Sequence, residues 1–123
     1  MRRTPGSVDT SDIVHVCRHD DGVDQSLLRE MLTFFIVENR RRVDQATAAV
    51  ADDDRDRLRQ LAHAIRGSAA MIGAGRLHDL ASALEHDAGA AQREDLRVAV
   101  GAMSTEFHAV YAALRAEHPD AVS

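Results

Sequence analysis

The 123-residue chain is predicted to be all-α. The expected architecture is an up-and-down antiparallel four-helix bundle, with a short N-terminal helix or segment packed on one end. Three observations predict it. Apolar residues recur at three- and four-residue intervals through four long segments. Ala and Leu abound, while there is no Trp, one Tyr and three Phe, a mix that favours helix over sheet. No strand-like alternation or internal repeat interrupts the pattern. The length suits one domain, and 45% apolar residues suffice for one core.

The elements follow in order. Residues 1–12, "MRRTPGSVDTSD", lack periodicity and hold Pro, Gly, Ser and Thr, so a flexible arm is expected. The bundle is expected over 13–118 and a C-terminal tail over 119–123. "DIVHVCRH" is a short apolar piece, either one or two turns of helix or an extended segment, and "DDG" breaks it. A helix over about 24–50 opens on Asp24 as N-cap and carries Leu28, Met31, Leu32, Phe35, Val43, Ala46 and Val50. Such a helix is roughly 40 Å long. "ADDD" ends it and gives the next helix an acidic start, which suits the helix dipole. This third element, about 53–71, closes at "IGAG", with Gly73 placed as the C′ residue. Leu77, Leu80, Ala81, Leu84 and Ala88 stripe a helix over about 76–88. After "GAAQRED", a last helix over about 92–117 carries Leu96, Val100, Met103, Phe107, Val110 and Leu114, and Pro119 stops it.

Composition narrows the function. A net charge of −5 and a pI near 5.7 argue against nucleic acid as the main partner. All 15 basic residues are Arg, which reads first as coding bias. Cys17 is the sole cysteine, so an intramolecular disulfide is impossible and a zinc site of several thiolates is excluded. There is no secretory signal and no apolar run near the length of a membrane span, so a cytoplasmic location without membrane insertion is expected.

The third helix carries the informative stretch, "LAHAIRGSAAMIGAG", residues 61–75. With Leu58 at zero and 100° per residue, Leu58, Leu61, Ala62, Ile65, Ala69 and Ile72 fall within about 60° of zero. That is the predicted buried stripe. His63 falls near 140° and Gly67 near 180°, on the far side. Burial of His63 is therefore not expected, and the bland reading left is a plain surface histidine. Against it stands the company the residue keeps: Gln60, His63, Gly67 and Ala70 share an outer face. A mid-helix glycine costs about 1 kcal/mol relative to Ala, and close approach of another body would account for it. Arg66, at i+3 from His63, is within side-chain reach. An exposed imidazole beside a guanidinium on a flat patch suits an anionic group, and a phosphoryl fits.

The segment "LAHAIRGSAAMIGAGRLHDLASALE" resembles the core of histidine-containing phosphotransfer (HPt) domains. Their pattern reads His-x-Leu-Lys-Gly-Ser-x-x-x-x-Gly-Ala, then Leu-x-x-Leu-x-x-x-Leu-Glu. His63, Gly67, Ser68, Gly73, Ala74, Leu77, Leu80, Leu84 and Glu85 match position by position. "VDQSLLREMLTFF" and "AVADDDRDRLRQLAH" are similar to the family's second helix and its approach to the motif. The resemblance covers roughly residues 23–115. It implies a four-helix bundle that exchanges phosphoryl groups between His63, through Nε2, and receiver-domain aspartates. Arg66 stands where Lys is usual; it keeps the charge but forks its donors. Some members place a Gln on the next helix against the phosphoryl. The aligned position holds Glu85, which repels phosphate, so it either turns away or orients the unphosphorylated imidazole.

By the same resemblance the protein is a phosphoryl carrier in a multistep phosphorelay and not an enzyme in its own right. The receiver partner brings the aspartate, Mg²⁺ and most phosphate-stabilising groups, and no cofactor is expected on this chain. Receivers and a hybrid histidine kinase are the expected partners, and a monomer is expected because a receiver must cover the His63 face. Gln60, Gly67 and Ala70 are expected to dock the partner, with Phe34 and Ile36 extending the patch. Phe34, Ile36 and Val37 give their helix more apolar surface than one stripe needs, and a wide core face is the bland reading. Two alternatives stand beside the carrier: a non-phosphorylated helical module that docks a receiver or kinase, and the phosphoacceptor module of a larger histidine kinase. Elsewhere signals are weak. Of His15, Cys17 and His19 only the two histidines share a helical face, so no metal site is expected. The run "ENRRRVD" defaults to a solvated face. "GAG" at 73–75 follows a helix rather than a strand, unlike a phosphate-cradling loop.

Overall fold

A computed structural model describes residues 4–122. Short helix α1, Ser11–Val16, leads into a two-residue antiparallel ladder of β1, Arg18–His19, and β2, Gly22–Val23. Four helices follow: α2 Gln25–Ala51, α3 Arg55–Ile72, α4 Gly75–Asp87 and α5 Arg93–Glu117. Each packs on its neighbour in sequence, and α5 closes the bundle against α2. The predicted bundle is thus the observed one, with α1 set against α3. The two-residue ladder was not visible as alternation, because two residues are too few to show a period.

The helix boundaries have local causes. Asp24 caps α2, its Oδ1 accepting the Leu27 N–H at 3.0 Å. Asp54 does the same for α3, accepting from Arg57 N–H at 3.1 Å. Gly73 ends α3 in the left-handed conformation, φ 80°. A side chain there would also collide with the Asp9 backbone, whose N–H donates to the Gly73 carbonyl at 2.9 Å.

The core follows the predicted stripes. All six α3 stripe residues, Leu58 to Ile72, are buried. So are all six of α5, among them Phe107, whose ring lies 6.3 Å from that of Phe35 on α2. Each such Leu, Ile or Phe contributes about 1.5–3 kcal/mol by leaving water. Asn39 is buried among them, its Nδ2 donating to the Phe35 carbonyl at 2.8 Å and its Oδ1 accepting from Arg42.

Both chain ends correct the sequence reading. The arm expected over 1–12 is tied down from residue 4 onward, and residues 1–3 lie outside the described residues. Gly6 N–H donates to Glu106 Oε2 at 2.7 Å, and Thr10 Oγ1 pairs with His118 Nε2 at 2.9 Å. Glu106 is a buried carboxylate on α5 that also faces Arg76 Nε at 3.3 Å. Burying a charge needs such partners, and Gly6 supplies one. Of the tail expected over 119–123, Ser123 lies outside the described residues, while Ala121 and Val122 are buried. Apolar side chains at the open end of a bundle gain by covering it.

Candidate functional site

α3 sets two faces by its 3.6-residue turn. The inner face holds the bundle; the outer carries Gln60, His63, Gly67 and Ala70, all exposed. The His63 side chain is 66% exposed. On α4, Glu85 stands four residues after buried Ala81, about 40° around the helix, at the edge of the stripe that faces the bundle. That edge brings its carboxylate to His63: Nδ1 lies 3.0 Å from Oε2 and 3.1 Å from Oε1. Of the two alternatives for Glu85, turning away or meeting the imidazole, the chain adopts the second.

Arg66 completes the group. Its Nη1 is 3.6 Å from Glu85 Oε1 and its Nη2 is 3.4 Å from His63 Nδ1. The two contacts to Nδ1 cannot both be hydrogen bonds. A guanidinium only donates and a carboxylate only accepts. The shorter carboxylate contact assigns the proton to Nδ1, which donates to Glu85, and Arg66 pairs with Glu85 by charge. The lone pair of the neutral ring is then on Nε2.

Gly67 follows His63 by one turn. A Cβ built on it meets nothing within 4 Å among the described residues, so their packing does not require glycine there. Gly101 on α5 is equally open, so open space alone does not mark a site. Gly67 is set apart by its place beside His63.

The apolar surroundings sort differently from expectation. Phe34 is 61% exposed, but Ile36 is 8% exposed and belongs to the core, which corrects its assignment to a docking patch. Ile36 is four residues from buried Leu32, and α2 packs on both α3 and α5, so its buried arc is wide. Met71, 58% exposed, takes its place. Its register, near 220° on the α3 wheel, would have found it outside the stripe and next to Gly67. Met31, Phe34 and Phe35 of α2 and Ser68, Met71 and Ile72 of α3 line a groove of about 320 Å³. Arg42 Nη1 donates to Ser68 Oγ at 3.1 Å and so links α2 to α3.

His15, Cys17 and His19 do not converge. Cys17 is buried with its Sγ 3.7 Å from Met31 Sδ, while both histidines are exposed. Among the described residues no group of His, Cys, Asp or Glu is arranged to hold a metal ion. None of the described helices is long and apolar enough to cross a membrane.

One comparison with known proteins places the chain in a family. The family profile described as Hpt domain matches residues 30–117. The chain belongs to the Hpt domain family. No curated protein and no solved structure gives a significant match. Hpt domains act in phosphotransfer within two-component phosphorelays, as phosphoryl carriers rather than catalysts, and they meet receiver domains and histidine kinases. The helical bundle of this chain is the architecture of that family.

Proposed function

We propose that this Hpt domain carries a phosphoryl group on Nε2 of His63, exchanging it with the active-site aspartate of a receiver domain. The observation that carries the reading is the exposed imidazole whose Nδ1 is engaged by Glu85 at 3.0 Å. In the forward step the Nε2 lone pair attacks phosphorus. The N–P bond forms as the bond to the aspartyl oxygen breaks, and the carboxylate leaves with its electron pair. The ring becomes positive as it bonds phosphorus, and the Glu85 carboxylate offsets that charge at Nδ1. In-line placement and charge suffice for such a transfer, whose transition state is loose. Mg²⁺ neutralises phosphoryl charge from the receiver's side, and this chain needs no cofactor of its own. The reverse step runs through the same atoms.

Docking uses Gln60, Gly67 and Ala70 around His63 and the groove beside Phe34 and Met71. Apolar surface this exposed next to a reactive group suits a protein partner. A monomer in the cytoplasm, alternately meeting a hybrid kinase and a receiver, fits one accessible histidine face. The test is transfer from a phosphorylated receiver. Wild type gains an acid-labile, alkali-stable label, and His63→Gln gains none. A chain that binds the receiver tightly yet takes no label from it is a docking module instead.

A further inference from the structure

We propose that Arg59 is a second phosphoryl-binding cation, a positioning residue that closes on the phosphorylated imidazole opposite Arg66. The inference rests on His63 as the carrier and adds a residue to that site. Arg59 precedes His63 by four residues on α3, so the two side chains share a face one turn apart. Arg59, Gln60, His63 and Glu85 line one open recess of about 380 Å³, ample for a phosphoryl group.

Charge makes a second cation necessary. A phosphoryl group brings up to about two negative charges and three acceptor oxygens. Arg66 is committed to Glu85, at 3.6 Å, so that pair offers the phosphoryl little net positive charge. Among the described residues Arg59 is held by an exposed partner one turn back: its Nη2 is 2.7 Å from Asp56 Oδ1. Exposed pairs of this kind contribute little and are exchanged readily for a better anion. A phosphoryl oxygen is that anion, and the guanidinium fork matches its geometry. Glu85 holds Nδ1, and Arg59 lines the same recess as the imidazole.

Direction of effect follows from the loose transition state. Charge on the peripheral oxygens falls as phosphorus leaves nitrogen. A cation on those oxygens therefore stabilises the phosphohistidine more than its breakdown. Phosphoramidate serves as the probe: it gives its phosphoryl to Nε2 with release of ammonia and needs no receiver. Phosphorylated wild type, Arg59→Ala, Arg59→Lys, Asp56→Asn and Arg57→Ala are followed by ³¹P NMR, with peptide mapping of His63. Arg59→Ala should shorten the phosphohistidine lifetime about three- to fivefold. Arg59→Lys should restore part of it, Asp56→Asn should lengthen it, and Arg57→Ala should leave it unchanged. An unchanged lifetime in Arg59→Ala overturns the inference and leaves His63 standing. So does a defect seen only in transfer from a receiver, since Arg59 would then touch the partner. Failure of wild type to hold phosphate on His63 overturns the carrier reading, and this inference with it.

Discussion

The Glu85 carboxylate holds His63 by its Nδ1, 3.0 Å away, across the gap between α4 and α3. A carboxylate only accepts, so it selects the tautomer with Nε2 unprotonated. The ¹⁵N NMR spectrum should show His63 Nε2 as a lone-pair nitrogen. Glu85→Ala should mix the tautomers and slow phosphoryl acceptance about tenfold, less than the roughly hundredfold or more of a group that itself transfers the proton. Glu85→Gln keeps an acceptor without the charge and should fall between. A spectrum unmoved by Glu85→Ala would remove Glu85 from the mechanism.

Phe34 and Ile36 separate docking from folding. Phe34 is exposed at the groove and Ile36 is in the core. Phe34→Ala should weaken receiver binding while leaving the thermal midpoint near wild type. Ile36→Ala should cost about 2–5 kcal/mol of stability, with denaturant unfolding as the measurement. Equal stability losses in the two variants would contradict the placement of both side chains.

Gly67 has room for a side chain, so substitution there should test the partner and spare the fold. Gly67→Ala should raise stability by up to about 1 kcal/mol. Gly67→Gln should fold as well as wild type, accept phosphate from phosphoramidate, and lose transfer from a receiver. If Gly67→Gln exchanges phosphate with a receiver at the wild-type rate, the face around Gly67 is not the docking face.

At Gly6 the N-terminal arm is anchored by a buried carboxylate. Glu106→Ala leaves the Gly6 N–H without its acceptor and Arg76 without its charge partner. A loss of about 1–3 kcal/mol is expected. Hydrogen exchange gives the local readout: the Gly6 amide should be protected in wild type and exchange rapidly in the variant.

Cys17 is fully buried, and burial together with the nearby Asp24 charge pushes its thiol pKa up. The folded state thus favours the neutral thiol. That contribution is whole below the unfolded thiol's pKa and fades as pH rises through the folded value. Thiol reagents should react slowly with the native chain and fast in denaturant, and Cys17→Ser should flatten the alkaline loss of stability.

Much of this molecule is legible along the chain because its information is periodic. The six α3 stripe residues are all buried, and His63, Gly67 and Ala70 are all exposed, as a 100° step requires. Asp24 and Gly73 mark helix ends because cap chemistry is local. The burial of Ile36 is not legible in this way, because its helix is buried against two neighbours at once, which no single-helix wheel contains. The anchoring of the N-terminal arm is hidden from local pattern because its bond joins residues 6 and 106, a hundred positions apart.

The bundle and the two faces of α3, with His63 on the outer one, are written along the chain. These follow from turn geometry and residue chemistry within a few residues of each other. Tertiary structure decided what meets the imidazole. The phase of α4 against α3 puts Glu85 on Nδ1 and engages Arg66 with that carboxylate. That phase is set by packing between helices, which local periodicity does not encode.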